Sequence, residues 1–417
     1  MSKAVLIVCD GLADRPIREL NGQTPLEAAQ TPNLDKLAVD GISGMMHTIN
    51  VGVRPGSDVA HLSLLGYDPE QYYTGRGIFE CIALGMDVAP GDIAFRANIA
   101  TQDKNGIVLD RRAGKMDSTL VVEHLGQIEL DGVQVFLKAG IDQRIGMVVR
   151  GPGLSWQVSD HDPKTVASKD AKETGVLKPR VMAREDSEAA IRTAEFLNKL
   201  SDYFAAQLKD ALFNQARARQ NLPLGNCILF RGASVLPDNM PRFEDKHGLR
   251  AAAVAGGSLY RGIAKAIGMD VIDFPAAAGV TGRPDSNLTS KVAKALEILP
   301  DYDFIFMHFK GADTLAELGD YQGKLEYLEK VDQAIEPLAE RQDILLVVTG
   351  DHTTASDIKK HTADPLPITY RGPGVRTDDL SAFSERECAK GRLGHIRGRE
   401  LVPILIDILG RSNMYGA

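Results

Sequence analysis

With 417 residues, 44% hydrophobic and 25% charged, the chain has the composition of an ordinary soluble protein long enough for two packed cores. A formal net charge of -8 argues against a passive nucleic-acid surface, which needs clustered Lys and Arg, but leaves room for small anions where a few arginines converge. Cys9, Cys81, Cys227 and Cys388 show no CxxC spacing, and no apolar run is long enough for a bilayer; neither a disulfide framework, a zinc ribbon nor a membrane partner is expected, and a cytoplasmic location is.

The opening AVLIVCDG reads as a buried parallel strand that ends on an Asp-Gly turn and leaves Asp10 at its carboxyl end. TPNLDKLAVDGISG follows with Thr31 as N-cap and Pro32 at the first helical position, which marks a short helix. In VGVRPGSDVAHLSLLGYDP, Ser57 comes after a Pro-Gly turn and before a helix, where a phosphate on the serine is favoured. PGSD alone is equally an ordinary helix cap, and a serine attacks only when a base or a metal removes its proton.

The middle of the chain changes character. DGVQVFLKAG and RIGMVVRGPG read as hairpin strands, and SEAAIRTAEFLNKLSDYFAAQLKDALFNQARARQ as a long amphipathic helical stretch. We expect an inserted α+β domain over 109–225, with GNCILFRGA returning to a discontinuous core of 1–108 and 226–417.

Toward the C-terminus, DFIFMHFKG and DILLVVTGDH are apolar strands ending in polar clusters, separated by a charge-rich helix, a pattern that packs as a parallel sheet. Ligands of such sheets gather beyond the strands' carboxyl ends, which here bear Asp10, Asp313, Asp351 and His352. Asp313 and Glu317, four residues apart, share one face if a helix begins there, and His361 lies one short loop beyond His352. Each residue alone also fits a cap or a surface side chain. Carboxylates and imidazoles clustered at strand ends suit divalent metals better.

IVCDG, TPLEAAQTPNLDKL, RPGSDVAHLSLLGYDP, YYTGRG, LDRRAGK, the GDH of TGDHTT and HTADPLP resemble, in order and spacing over almost the whole chain, the archaeal-type cofactor-independent phosphoglycerate mutases of the alkaline phosphatase superfamily. The resemblance implies an α/β fold, a mostly parallel sheet flanked by helices, with a smaller substrate-handling domain inserted. It also implies two divalent ions, Mn2+ or Mg2+ ahead of Zn2+: one among Asp10, Ser57, Asp351 and His352, the other with Asp313 and His361. Ser57 is then the nucleophile that carries the phosphoryl group between the hydroxyls of 3- and 2-phosphoglycerate. Arg111, Arg112, Arg144 and Arg231 are the candidates for holding the small phosphorylated carboxylate, Arg111 and Arg112 first.

The chain also departs from the family pattern. Glu317 replaces the histidine of a usual GHDG run, Gln143 and Lys164 stand where histidines are common, and Ala355 replaces a proline. These changes keep open a paralogue acting on another phosphorylated or phosphonate substrate, and a silent metabolite-binding protein.

Overall fold

The computed structural model describes residues 3–163, 174–414 and 416. Its strands are β1 (Lys3–Cys9) and β2 (Ile42–His47); then β3 (Ile93–Gln102), β4 (Ile107–Asp110), β5 (Ile128–Leu130), β6 (Val133–Ala139), β7 (Arg144–Arg150), β8 (Val176–Leu177) and β9 (Cys227–Ser234). The C-terminal part adds β10 (Ala251–Val254), β11 (Asp270–Val271), β12 (Phe304–Phe309), β13 (Ile344–Thr349), β14 (Thr353–Ala355), β15 (Lys360–Thr362), β16 (Leu366–Arg371) and β17 (Gly394–Arg397). They divide between two compact units, Met1–Tyr73 with Pro241–Ala417, and Thr74–Met240.

The first unit carries a sheet of order β11-β10-β12-β1-β13-β16-β2-β17. β11, β10, β12, β1 and β13 run parallel, whereas β16 runs antiparallel to both of its neighbours. Strands in the middle of such a sheet are covered on both faces, which is why AVLIVC, FIFMHF and ILLVVT are apolar throughout and buried at nearly every position. The register pairs Cys9 with Phe309 and Val8 with Thr349. Asp10, Lys310 and the Gly350-Asp351 turn therefore leave the sheet side by side. The expected helix forms at Pro32–Val39, although Thr31 makes no side-chain cap bond; the nearby capping box is Thr24 with Glu27.

The second unit is an antiparallel sheet of order β5-β6-β7-β3-β4-β8, with β9 also paired to β3. Helix Glu188–Lys209 contributes Phe196, Leu197, Leu200 and Phe204 to its core. The compact unit thus begins at Thr74 and ends at Met240, wider than the 109–225 expected from sequence. The cause lies in β3 and β9. A buried antiparallel segment such as CILF is as continuously apolar as a parallel strand, so periodicity does not separate them. Among the described residues no helix is long and apolar enough to cross a membrane.

Candidate metal centre and arginine cluster

Three strand ends build the site of the first unit. Gly11 turns the chain sharply after Asp10 with φ +68, and a Cβ there would lie 2.6 Å from the Asp313 Cα. Only glycine permits that turn and approach together, and it lets Asp313 N donate to Asp10 O at 2.9 Å. Gly11 N donates to Asp351 Oδ1 at 3.1 Å. Helix Gly311–Leu318 presents Asp313 in its first turn, and Asp351 with His352 follows β13 directly.

Two groups of candidate ligands result, Asp10 with Asp351 and His352, and Asp313 with His352 and His361, the ligand atoms in each lying within 4.8 Å of one another. His352 Nε2 stands 3.4 Å from Asp10 Oδ1, 3.2 Å from Asp351 Oδ2 and 3.2 Å from Ser57 Oγ. Asp313 Oδ1 lies 3.3 Å from His361 Nε2, whose ring stacks on His352 with centroids 3.6 Å apart. Ser57 is the first residue of helix Ser57–Leu64, after Gly56 as N-cap, so its hydroxyl sits at the positive end of the helix.

The electrostatics call for a cation. Asp10 Oδ1 and Asp351 Oδ2 are buried with no hydrogen-bond partner among the described residues, a state that costs heavily unless an ion meets them. Asp10 Oδ2, in contrast, accepts from Tyr260, from His308 at 3.2 Å and from Lys310 at 3.1 Å. Burial works against its ionisation, but Lys310, His308 and His352 hold the Asp10 carboxyl well below the usual range. Asp351 is pushed well above it, first by burial and then by the charges of Asp10 and Asp313. Burial keeps His352 neutral by drawing it down to about 3, the form in which an imidazole binds metal. The chemistry of this donor set, hard oxygens with neutral imidazoles, fits divalent ions.

Glu317 is peripheral to these groups. Its side chain is 57% exposed and stands 3.9 Å from His361 Nε2, and burial with the charge of Asp313 raises its pKa above the ordinary carboxyl value. Lys310, which also donates to Asp313 Oδ2 at 2.7 Å, escaped the sequence reading although it lies in MHFKGAD. Its position directly after β12, level with Asp10, was the available signal. Tyr260 and His308 left none: one arrives on a distant helix, the other inside an apolar strand.

The second unit concentrates guanidinium groups. Arg111 grips Asp162 through Nε and Nη2 at 2.9 and 2.6 Å, with Arg231 Nε 3.8 Å from the same carboxylate. Arg76 and Arg96 share Glu80 at 2.9 and 3.3 Å. Burial, set against Glu80, and the charges of Arg76, Arg231 and Arg144 draw Arg96 down to about 10. Arg112 and Arg144 are exposed. Among the residues that depart from the family pattern, Gln143 is buried and Lys164 lies outside the described residues.

Comparison with known proteins agrees with this construction. The model of the metalloenzyme superfamily matches residues 2–408. The 2,3-bisphosphoglycerate-independent phosphoglycerate mutase 1 of Methanocaldococcus jannaschii is 42% identical over 100% of this chain and 99% of its own length. A solved protein from Pyrococcus horikoshii superposes with TM-score 0.84 at 34% identity, covering 100% of this chain and 99% of that one. The cofactor-independent phosphoglycerate mutase of Thermoplasma acidophilum gives TM-score 0.72 at 33% identity over 98% of this chain and 100% of that one. The chain therefore belongs to the metalloenzyme superfamily and, within it, to the 2,3-bisphosphoglycerate-independent phosphoglycerate mutases.

Proposed function

We propose that the protein interconverts 3-phosphoglycerate and 2-phosphoglycerate without 2,3-bisphosphoglycerate, through a phosphoserine at Ser57. The observation that carries this reading is Ser57 Oγ at a helix N-terminus, 3.2 Å from His352 Nε2 and next to two groups of buried candidate ligands. Asp10, Asp351, His352 and Ser57 would hold one ion, and Asp313 and His361 the other, with Glu317 close enough to join by a side-chain rotation. Divalent ions such as Mn2+ or Mg2+, when bound, would lower the pKa of the serine hydroxyl and offset charge on the phosphoryl oxygens.

In the first half-reaction the Ser57 oxygen forms a bond to phosphorus while the bond from phosphorus to the substrate's 3-oxygen breaks. That oxygen gains the proton that Ser57 gives up. The 2-hydroxyl then attacks the same phosphorus, loses its proton, and the bond to Ser57 Oγ breaks. The positive end of helix Ser57–Leu64 favours the phosphorylated serine. Arg111, Arg112, Arg144 and Arg231 supply planar forks suited to the glycerate carboxylate.

Rapid acid quench of the metal-loaded protein with 3-phosphoglycerate, followed by peptide mass spectrometry, tests the intermediate. A phosphate on the Ser57 peptide is expected; a phosphate on another residue, or none during turnover, would overturn the reading. The exposed Glu317 favours one second reading, a phosphotransferase of different substrate, for which the same quench with a panel of phosphorylated and phosphonate compounds labels Ser57 from another donor.

A further inference from the structure

Thr354 and the charges buried behind it have had no role so far. The Thr354 hydroxyl lies 2.9 Å from Asp313 Oδ1 and 3.0 Å from His352 Nδ1. It is buried and belongs to the short strand β14. A hydroxyl has one proton to donate, and an ionised carboxylate can only accept. Thr354 must therefore donate to Asp313, so its oxygen is left to accept from His352. That requires the proton of the neutral His352 ring to sit on Nδ1. Nε2, the nitrogen facing Ser57, Asp10 and Asp351, then keeps a free lone pair.

The strand carrying Thr354 is itself pinned. Thr354 N donates to Ala13 O at 3.1 Å, and its carbonyl accepts from Lys324 Nζ at 3.0 Å. Lys324, wholly buried, spends its remaining donors on Ala13 O and Asp14 Oδ2, both at 2.9 Å. Asp14 in turn accepts from Ser356 N at 3.0 Å and Ser356 Oγ at 2.6 Å. A buried ion pair with every donor placed adds little net stability but admits one geometry.

We infer that Thr354, locked by the Lys324–Asp14 pair, is a positioning residue that selects the Nδ1–H tautomer of His352 and thereby aims its bare Nε2 at the metal-facing side of the site. The inference rests on reading His352 as a metal-facing group, and its test separates the two. In the metal-free wild type, 15N NMR of labelled histidines reads the tautomer with no variant needed. His352 is expected as Nδ1–H; an Nε2–H signal overturns the inference whatever the protein catalyses.

Mn2+ titration of the metal-free protein, followed by electron paramagnetic resonance, supplies the second arm. Thr354→Val should weaken binding about 10–100-fold, the usual consequence of losing an outer-shell partner, and Thr354→Ser should restore it to within about 3-fold. Equal Mn2+ affinity in wild type and Thr354→Val would contradict the positioning role while leaving the mutase reading intact. If the wild type bound no Mn2+, the metal reading would fail, and the tautomer would still decide the rest.

Discussion

The two units solve opposite electrostatic problems with one chain. The unit of Met1–Tyr73 and Pro241–Ala417 brings Asp10, Asp313 and Asp351 together at the ends of parallel strands, whereas Thr74–Met240 crowds Arg96 and Arg231 of its antiparallel sheet with Arg76 at the start of helix Gly77–Ala83. In the first, Lys310 partly answers the carboxylates, and Asp10 Oδ1 and Asp351 Oδ2 still have no hydrogen-bond partner among the described residues. In the second, Glu80 and Asp162 partly answer the arginines. Buried carboxylate oxygens without a hydrogen-bond partner among the described residues are what a cation site in the first unit requires, since full pairing would leave no field for a ligand. The first unit gathers carboxylates and the second gathers guanidinium groups.

The largest effect that would sharpen this contrast is at the nucleophile. Ser57→Ala should lower kcat by about 10⁴-fold or more, as loss of a covalent nucleophile does, while Mn2+ still binds; retained turnover in a steady-state assay would break the assignment.

One buried group in each unit should couple stability to pH, the two with opposite sign. Glu385, in the first unit, accepts from Asp14 N and Thr24 Oγ1, and burial pushes its carboxyl up to about 7. The folded state then holds its proton more tightly than the unfolded one, so that contribution is full below the unfolded value near 4.5 and is lost as pH rises through about 7. His161, in the second unit, stacks on Phe230 and bonds Ser201, and burial with nearby Lys178 draws it down to about 3. Its contribution is full above 6.5 and is lost as pH falls toward 3. Hydrogen exchange in the presence of chelator, compared with wild type, should show Glu385→Gln losing a contribution of roughly 3 kcal/mol that depends on pH between 4.5 and 7, and His161→Gln losing one of roughly 5 kcal/mol that depends on pH between 3 and 6.5. A pH profile unchanged by Glu385→Gln would contradict the role given to Glu385.

Removing one arginine should matter less than removing the serine. Arg231→Ala should lower kcat/KM by about 10–100-fold, the value of one charged hydrogen bond, with Mn2+ affinity unchanged in calorimetry. A loss of metal affinity instead would show that the division of labour is wrong. The smallest effect is expected from Glu317→Gln: an exposed carboxylate 3.9 Å from His361 should change Mn2+ affinity by under about 10-fold. A larger loss would make Glu317 a full ligand.

The same contrast explains what could be read from the sequence. Asp10, Ser57, Asp351 and His352 were legible because each follows a strong local signal, an apolar strand or a Pro-Gly turn, and the chain's order matches a family. The boundary near Thr74 was not, because β3 and β9 are apolar runs that fit either kind of sheet. Tyr260 and Thr354 became visible only in three dimensions, since the partners that define them lie 250 and 41 residues away. Arg111 was legible as a binding candidate but not as the partner of Asp162, which is set by tertiary packing.

The most direct test of the account is 31P NMR of the metal-loaded protein with 3-phosphoglycerate in the absence of 2,3-bisphosphoglycerate. The account predicts that the 2-phosphoglycerate resonance grows to equilibrium with little free phosphate released. An unchanged 3-phosphoglycerate signal, or its conversion to free phosphate alone, would contradict it.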